Sequence, residues 1–498
     1  MNEGVNAVNG RLDPPDWEAF RRLGHRMVDD LAEHLQAIGT KPPAVPMEAE
    51  ARSAFQRPLP VSGEGLEAAY EDFRRYVLST QTLNLHPRFW GWVVGTGRPG
   101  GMLTEMLTGA LNANVSGGDL APVWVEMQVL EWCKALLGYP QDAGGILVSG
   151  GSMANLLGLA VARSARSPDA NAAVGVHGGG APLVVYASTE RHSSVDKAVA
   201  LLGLGRTGLH LVGVNEAFQI DVPALRRAIR ADRAAGRHPI AVVGNAGTVN
   251  TGAFDNLEAL ASAAHDEGIW LHVDGAFGAL VAASPEYQSR VFGLDAADSL
   301  AFDLHKWLHM PYGVGCLLVR DGEAQRRAFS LRPDYLAQET LGDFAGPIWF
   351  DDYGIELSRP FRALSVWMAF KEWGRDAFVQ AIEENLRQAQ HLADLIRQEP
   401  RLRLMAPVPA NVVCFRYVGD LTDEATISAV NEQLVLALIL EGVAVVSSTK
   451  LHDVFVLRVA ITNHRTRLED MDLLVRETVR IGDRLSGGKT SAGDSARR

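Results

Sequence analysis

Between about residues 100 and 320 the chain repeats one rhythm: a short apolar run, a glycine-rich or polar turn, then a helical pattern. The apolar runs at 146–149, 183–187, 209–214, 240–244, 269–274, 299–302 and 315–320 are seven predicted strands. Helical periods over 222–235 and 256–267 fill gaps between them. Strands alternating with helices predict an α/β domain built on a mostly parallel seven-stranded sheet. In such sheets ligands meet the carboxyl ends of the strands, so polar residues there become the functional candidates.

The flanks follow other patterns. Residues 16–38 read as a helix, with Trp17, Phe20, Leu23, Met27, Leu31 and Leu35 at helical spacing. A proline-rich arm (41–46), a second helix (66–79) and the aromatic stretch His86-Pro87-Arg88-Phe89-Trp90-Gly91-Trp92 follow. Segment 1–100 therefore offers helices and arms with little core, and is expected to pack on another domain or a second subunit. The large domain is expected at 101–375. Within it, 321–359 has no clear period and reads as a mobile loop. Helices at 361–373 and 376–398, with strands at 412–417, 443–447 and 455–461, predict a smaller α+β domain over 376–486. The tail, 487–498, is rich in Gly, Ser, Lys and Arg and reads as disordered.

Composition removes several classes. A length of 498 residues allows about two to four domains. A net charge of −12 argues against nucleic-acid binding, which needs a basic face. The three cysteines, Cys133, Cys316 and Cys414, have no CxxC spacing, which excludes a zinc ribbon and a disulfide framework. No metal site is expected, and a reducing, cytoplasmic compartment fits. No run approaches the ~18 apolar residues of a membrane span, and residues 1–15 are polar, unlike a signal peptide.

Four motifs stand at predicted strand ends. Gly150-Gly151-Ser152-Met153-Ala154-Asn155 follows 146–149 and opens a helical pattern; bare backbone N–H groups at a helix start suit a phosphate. The same loop reads equally as a tight turn with a capping serine. It lacks both G-x-G-x-x-G and G-x-S-x-G, which removes the dinucleotide and nucleophile-elbow readings. Asp274 closes the strand 269–273, where a carboxylate can pair with a protonated ring nitrogen, magnesium or a ribose hydroxyl, or simply cap a turn. Lys306 follows 299–302 between Leu304, Trp307 and Leu308; apolar company disfavours an ammonium and frees an amine for Schiff-base chemistry. In isolation it reads as a surface lysine. His192 follows 183–187, placed to stack on a flat ligand or shuttle protons. Four such groups at strand ends converge on one crevice.

That ordered set resembles fold-type-I pyridoxal-phosphate enzymes, and in detail the group II decarboxylases, the aromatic-L-amino-acid decarboxylase family. The resemblance runs from about Phe20 to Ile461. Its most specific stretches are His86-Pro87-Arg88-Phe89, 190–197, Ala253-Phe254-Asp255-Asn256, 270–276 and His305-Lys306-Trp307-Leu308. It implies pyridoxal 5'-phosphate as cofactor, an amino-acid substrate and a homodimer. Lys306 becomes the Schiff-base lysine and Asp274 the partner of the pyridinium nitrogen. His192 and Ala276 flank the ring, Gly151, Ser152 and His305 hold the phosphate, and Thr248 sits near cofactor and substrate carboxylate. Tyr335 matches the family's loop tyrosine, thought to protonate the carbanion.

Two departures touch substrate choice. Asp303 stands where aromatic-type members often carry asparagine, and Asn114 and Ser116 replace apolar residues that face the substrate ring in animal aromatic decarboxylases. His86, Phe89, Trp90, Trp92, Asn114 and Tyr312 are the candidate substrate residues, and the aromatic ones favour an aromatic side chain. The rivals are decarboxylation of a polar amino acid such as aspartate or glutamate, oxidative deamination to an aldehyde, and a non-catalytic ligand-binding relative. Tyr335 argues against the second, and intact Lys306, Asp274 and His192 against the third.

Overall fold

The structure is a computed structural model that describes residues 12–80, 82–167, 175–176, 180–331 and 346–487. Its larger sheet contains β2 (Gly144–Val148), β3 (Leu183–Ser188), β4 (Leu209–Val212), β5 (His238–Asn245), β6 (Trp270–Asp274), β7 (Ser299–Asp303) and β8 (Gly315–Val319), in the order β2-β8-β7-β6-β5-β3-β4. β8 pairs antiparallel with both neighbours; every other pairing is parallel. All residues of β3, β6, β7 and β8 are buried, as expected for strands of a sheet covered on both faces. The seven expected strands all form, with ends shifted by one or two residues.

The second sheet runs β1-β11-β12-β10-β9, from β1 (Phe89–Trp90), β9 (Leu402–Leu404), β10 (Val412–Tyr417), β11 (Val445–Leu451) and β12 (Val454–Ala460). β1 departs from expectation, because the sequence pattern places no strand in the aromatic stretch. It lies parallel to β11, with Phe89 opposite Val445 and Trp90 opposite Val446. Trp90 is 1% exposed in the second core, and its indole N–H donates to Thr466 Oγ1 at 3.2 Å. Two residues are too few for a visible period.

Residues 321–359 also differ from expectation, because a helix occupies Gly322–Phe329. Asp321 caps it by accepting from Ala324 N, while the polar sequence hides the period. The two helices expected after it form as Ala363–Gln398, broken at Gly374. Tyr335 lies outside the described residues. Among the described residues no helix is long and apolar enough to cross a membrane.

Candidate active site

Carboxyl ends of parallel strands deliver the candidates to one place. A cavity of about 290 Å³ is lined by Gly151, Ser152, His192, Asp274, Ala276, His305 and Lys306, together with Asn155 and Asp303. A second, about 260 Å³, shares His192, Asp274, Ala276 and Lys306 and extends to Trp92, Gly247, Ser447 and Arg458. The first opens on the ends of β2, β3, β6 and β7, and the second shares the β3 and β6 ends and borders β5, β11 and β12.

Gly151 starts the helix Gly151–Arg166. Its N–H donates to Asp303 Oδ1 at 2.5 Å, and a Cβ there would lie 2.8 Å from Asp303 Oδ2. Only glycine allows that approach. Lys306 Nζ is 3.0 Å from Asp303 Oδ2, so the departure at 303 places a carboxylate on the lysine itself. His305 Nδ1–H donates to Val314 O at 2.9 Å, and burial pushes its pKa down.

Asp274 Oδ2 accepts from Asn155 Nδ2 at 2.8 Å, and Oδ1 from Ala276 N at 3.2 Å. His192 caps the helix Ser193–Leu201, its Nδ1 accepting from Ser194 N. A neutral His192 therefore carries its proton on Nε2. Burial pushes its pKa down, against the opposing pull of Asp274.

Several expected residues are not on these walls. Thr248 is buried, its hydroxyl bonded to Thr251 Oγ1 and accepting from Ala253 N, so Gly247 and Val249 face the second cavity instead. His86 is fully buried, with Nδ1 accepting from Arg88 N. Trp90 belongs to the second core, and Phe89 is buried with it in β1. Asn114 Oδ1 accepts from Arg359 N, anchoring the backbone near the buried Arg359–Glu126 ion pair. Tyr312 is exposed; its hydroxyl donates to Gly95 O at 3.3 Å, and its ring lies 5.1 Å from His305. Of the aromatic candidates, Trp92 lines the cavity.

Sequence reasoning missed Asn155 and Arg458. Asn155 stands four residues after Gly151, on the same helical face, and that spacing was a usable signal. Arg458 comes from β12, more than 150 residues beyond Lys306, and nothing local marked it. It is buried and donates to Val249 O, Asn250 O, Trp92 O and Ser447 Oγ, all uncharged. Among the described residues it forms no ion pair, and burial pushes its pKa down.

The crevice suits a flat molecule with an anion at one end and a protonated ring nitrogen at the other. The Gly150–Gly151 turn at a helix start, where Asp303 Oδ1 now accepts from Gly151 N, suits the first, the Asp274 carboxylate suits the second, and Lys306 lines the same cavity. The class this defines is a fold-type-I pyridoxal-phosphate enzyme. The pyridoxal-dependent decarboxylase conserved domain matches residues 49–418. An aromatic-L-amino-acid decarboxylase of Bacillus atrophaeus is 34% identical over 476 residues, covering 94% of this chain and 96% of that protein. A phenylacetaldehyde synthase of Petunia hybrida is 28% identical, covering 93% of each. The crystal structure of Catharanthus roseus tryptophan decarboxylase in complex with L-tryptophan matches with a TM-score of 0.84 at 26% identity, over 95% of this chain and 100% of that one. The chain belongs to the pyridoxal-dependent decarboxylase family. Its reaction is pyridoxal-phosphate-dependent decarboxylation of an amino acid, which makes it a carbon–carbon lyase.

Proposed function

We propose that the substrate is an aromatic L-amino acid, converted to its amine and carbon dioxide, and that the enzyme works as a cytoplasmic homodimer. The observation that carries the site assignment is the convergence of Gly151, His192, Asp274 and Lys306 on one cavity. Aromatic choice draws support from the Bacillus and Catharanthus relatives and from Trp92 on the second cavity. Three free, buried cysteines suit a reducing compartment.

In this reading Gly151, Ser152 and His305 hold the cofactor phosphate, Asp274 the ring nitrogen, Lys306 the covalent link, and His192 and Ala276 the ring faces. Pyridoxal phosphate supplies the electron sink for the pair left on Cα when carbon dioxide departs. The chain's own groups do the positioning. Asp303 stands ready to hold the Lys306 ammonium, 3.0 Å away. The Nε2–H of His192 is free to donate, since Nδ1 is already an acceptor. Arg458, its charge unpaired, favours the substrate carboxylate in the second cavity.

Carbon dioxide release measured across the twenty L-amino acids tests the substrate: phenylalanine, tyrosine, tryptophan or a ring-substituted analogue should lead. Aspartate or glutamate leading would replace the aromatic reading by the polar one. The Petunia relative gives the aldehyde route a place in the test. If Tyr335 supplies the proton to Cα, Tyr335→Phe should keep carbon dioxide release while amine yield falls at least about ten-fold, the usual scale of a positioned acid. Oxygen then intercepts the carbanion, and aldehyde, ammonia and peroxide appear. An unchanged amine yield would assign the proton to another group, with His192 next.

A further inference from the structure

A chain of hydrogen bonds runs from the floor of the large sheet to the site. On β6, Trp270, His272 and Asp274 alternate onto one face, and Ser299 of β7 stands opposite His272. Trp270 Nε1–H donates to Ser299 Oγ at 2.7 Å. Ser299 Oγ is 2.8 Å from His272 Nδ1, and His272 Nε2 is 2.9 Å from Asn155 Oδ1. Asn155 Nδ2 donates to Asp274 Oδ2 at 2.8 Å and to Ser194 Oγ at 2.9 Å, and Ser194 Oγ is 2.8 Å from His192 Nδ1.

Every proton in this network has one possible position. A carboxylate only accepts, so the Asn155 amide must turn its nitrogen to Asp274 and its oxygen to His272. His272 then donates from Nε2, and its Nδ1 accepts from the Ser299 hydroxyl. Burial pushes the His272 pKa down to about 3, so the ring is neutral, as that arrangement requires. The second Asn155 N–H occupies a Ser194 lone pair, which frees the Ser194 hydroxyl to donate to His192 Nδ1. Gly158 makes room: a Cβ there would stand 2.5 Å from His272 Cε1. Asn155, His272 and Ser299 are all buried, so no water substitutes for a lost partner.

We infer that Asn155 is a positioning residue that reaches two active-site groups at once, holding Asp274 in its orientation through one amide hydrogen and, with the other, turning the Ser194 hydroxyl to donate to His192 Nδ1 alongside the Ser194 backbone N–H, while His272 and Ser299 hold Asn155 itself. This deepens the proposed site and rests on the roles given there to Asp274 and His192. The charges facing His192 are Asp274, Asp303, Lys306 and Lys197, and the Asn155–Ser194 branch acts in addition to them.

The two branches separate experimentally. Holoenzyme variants are compared by pyridoxal-phosphate affinity, by the absorption spectrum that reports ring protonation, and by the pH profile of kcat, with thermal melting confirming the fold. His272→Leu should alter the spectrum and weaken cofactor binding on the order of ten-fold, the scale of an unsatisfied buried partner, leaving the acidic limb of the profile in place. His272→Gln, which keeps an N–H facing Asn155, should recover most of the loss. Ser194→Ala should do the converse: removing a donor to Nδ1 makes His192 easier to protonate, so the acidic limb moves to higher pH with the spectrum intact. Asn155→Ala should show both effects. Wild-type spectrum and profile in a folded Asn155→Ala enzyme, with Asp274→Ala crippled, would overturn the inference and leave the site reading standing. Wild-type affinity and spectrum in Asp274→Ala would remove the site reading itself.

Discussion

At the scale of single residues, legibility followed position. Gly151, His192, Asp274 and Lys306 were readable because each falls just beyond an apolar strand, and strand ends in this architecture face the crevice. Lys306→Ala should therefore abolish turnover, by at least about 10³-fold as for a lost covalent group, with the melting temperature little changed; borohydride reduction of the wild-type holoenzyme should tag Lys306. A tag elsewhere would move the covalent role. His86 was misleading for a physical reason. Its place beside Phe89 and Trp90 looked like a substrate wall, yet it is a buried imidazole that accepts from Arg88 N, its pKa pushed down to about 4 by desolvation. It shares that state with His272, at about 3, and His309, well below its usual value. All three take a proton more readily when unfolded, near pH 6.5. As pH falls below that value the unfolded chain gains protons that the folded chain refuses, so stability drops by about 1.4 kcal/mol per pH unit for each. Asp255 and Asp298, raised by burial, act with opposite sign lower down, in the carboxylate range. Chemical denaturation from pH 7 to pH 5 should show this loss. A flat profile over that range would mean the three rings are hydrated.

Elements were legible where one face or both were apolar, and illegible where they were short or polar. The strands of the large sheet are Val-, Leu- and Ile-rich and stood out. The helix Gly322–Phe329 did not, because GEAQRRAF buries little beyond Ala324 and Gln325. The helices Pro99–Leu111 and Ala121–Leu137 have few polar residues, so no contrast between a polar and an apolar face announced them in the sequence. β1 was the costliest omission, since two residues carry the N-terminal segment into the second sheet. Its backbone pairs with Val445 and Val446, and Trp90 fills the core beneath them. Trp90→Ala should cost about 3–5 kcal/mol, the range for a large buried aromatic, and Trp90→Phe less, since the ring volume largely stays. If Trp90 serves this core rather than substrate, the cost appears in denaturation while KM holds in the folded enzyme. A KM rise with wild-type stability would return Trp90 to the substrate wall.

For the whole molecule, the outer surface carries the argument for assembly. Leu103, Met106, Leu107 and Leu111 lie at i, i+3, i+4 and i+8 on the helix Pro99–Leu111 and are 40–61% exposed. That spacing makes one apolar stripe. Leu120 and Trp124 follow it in the chain, and Trp17 and Phe20 are exposed on the N-terminal helix, their rings 5.7 Å apart. Left in water such a surface invites association; a stable interface buries at least about 1,000 Å², at ~25 cal/mol per Å² of apolar area. A second copy is the occupant proposed above, since most soluble oligomers are symmetric homodimers. Assembly should also reach the chemistry. The stripe's helix begins four residues after Gly95, where the backbone runs so close to the His305 carbonyl that any Cβ would collide with it. Gly95 O also accepts from the Tyr312 hydroxyl. Disturbing the stripe should therefore loosen His305 and the phosphate site proposed for it. Met106→Glu with Leu107→Glu is expected to sediment as a monomer at micromolar concentration and to bind pyridoxal phosphate about ten-fold more weakly, one hydrogen bond's worth to a charged group. A wild-type chain that sediments as a monomer would remove the dimer, and a monomeric double variant with wild-type affinity would uncouple assembly from the site.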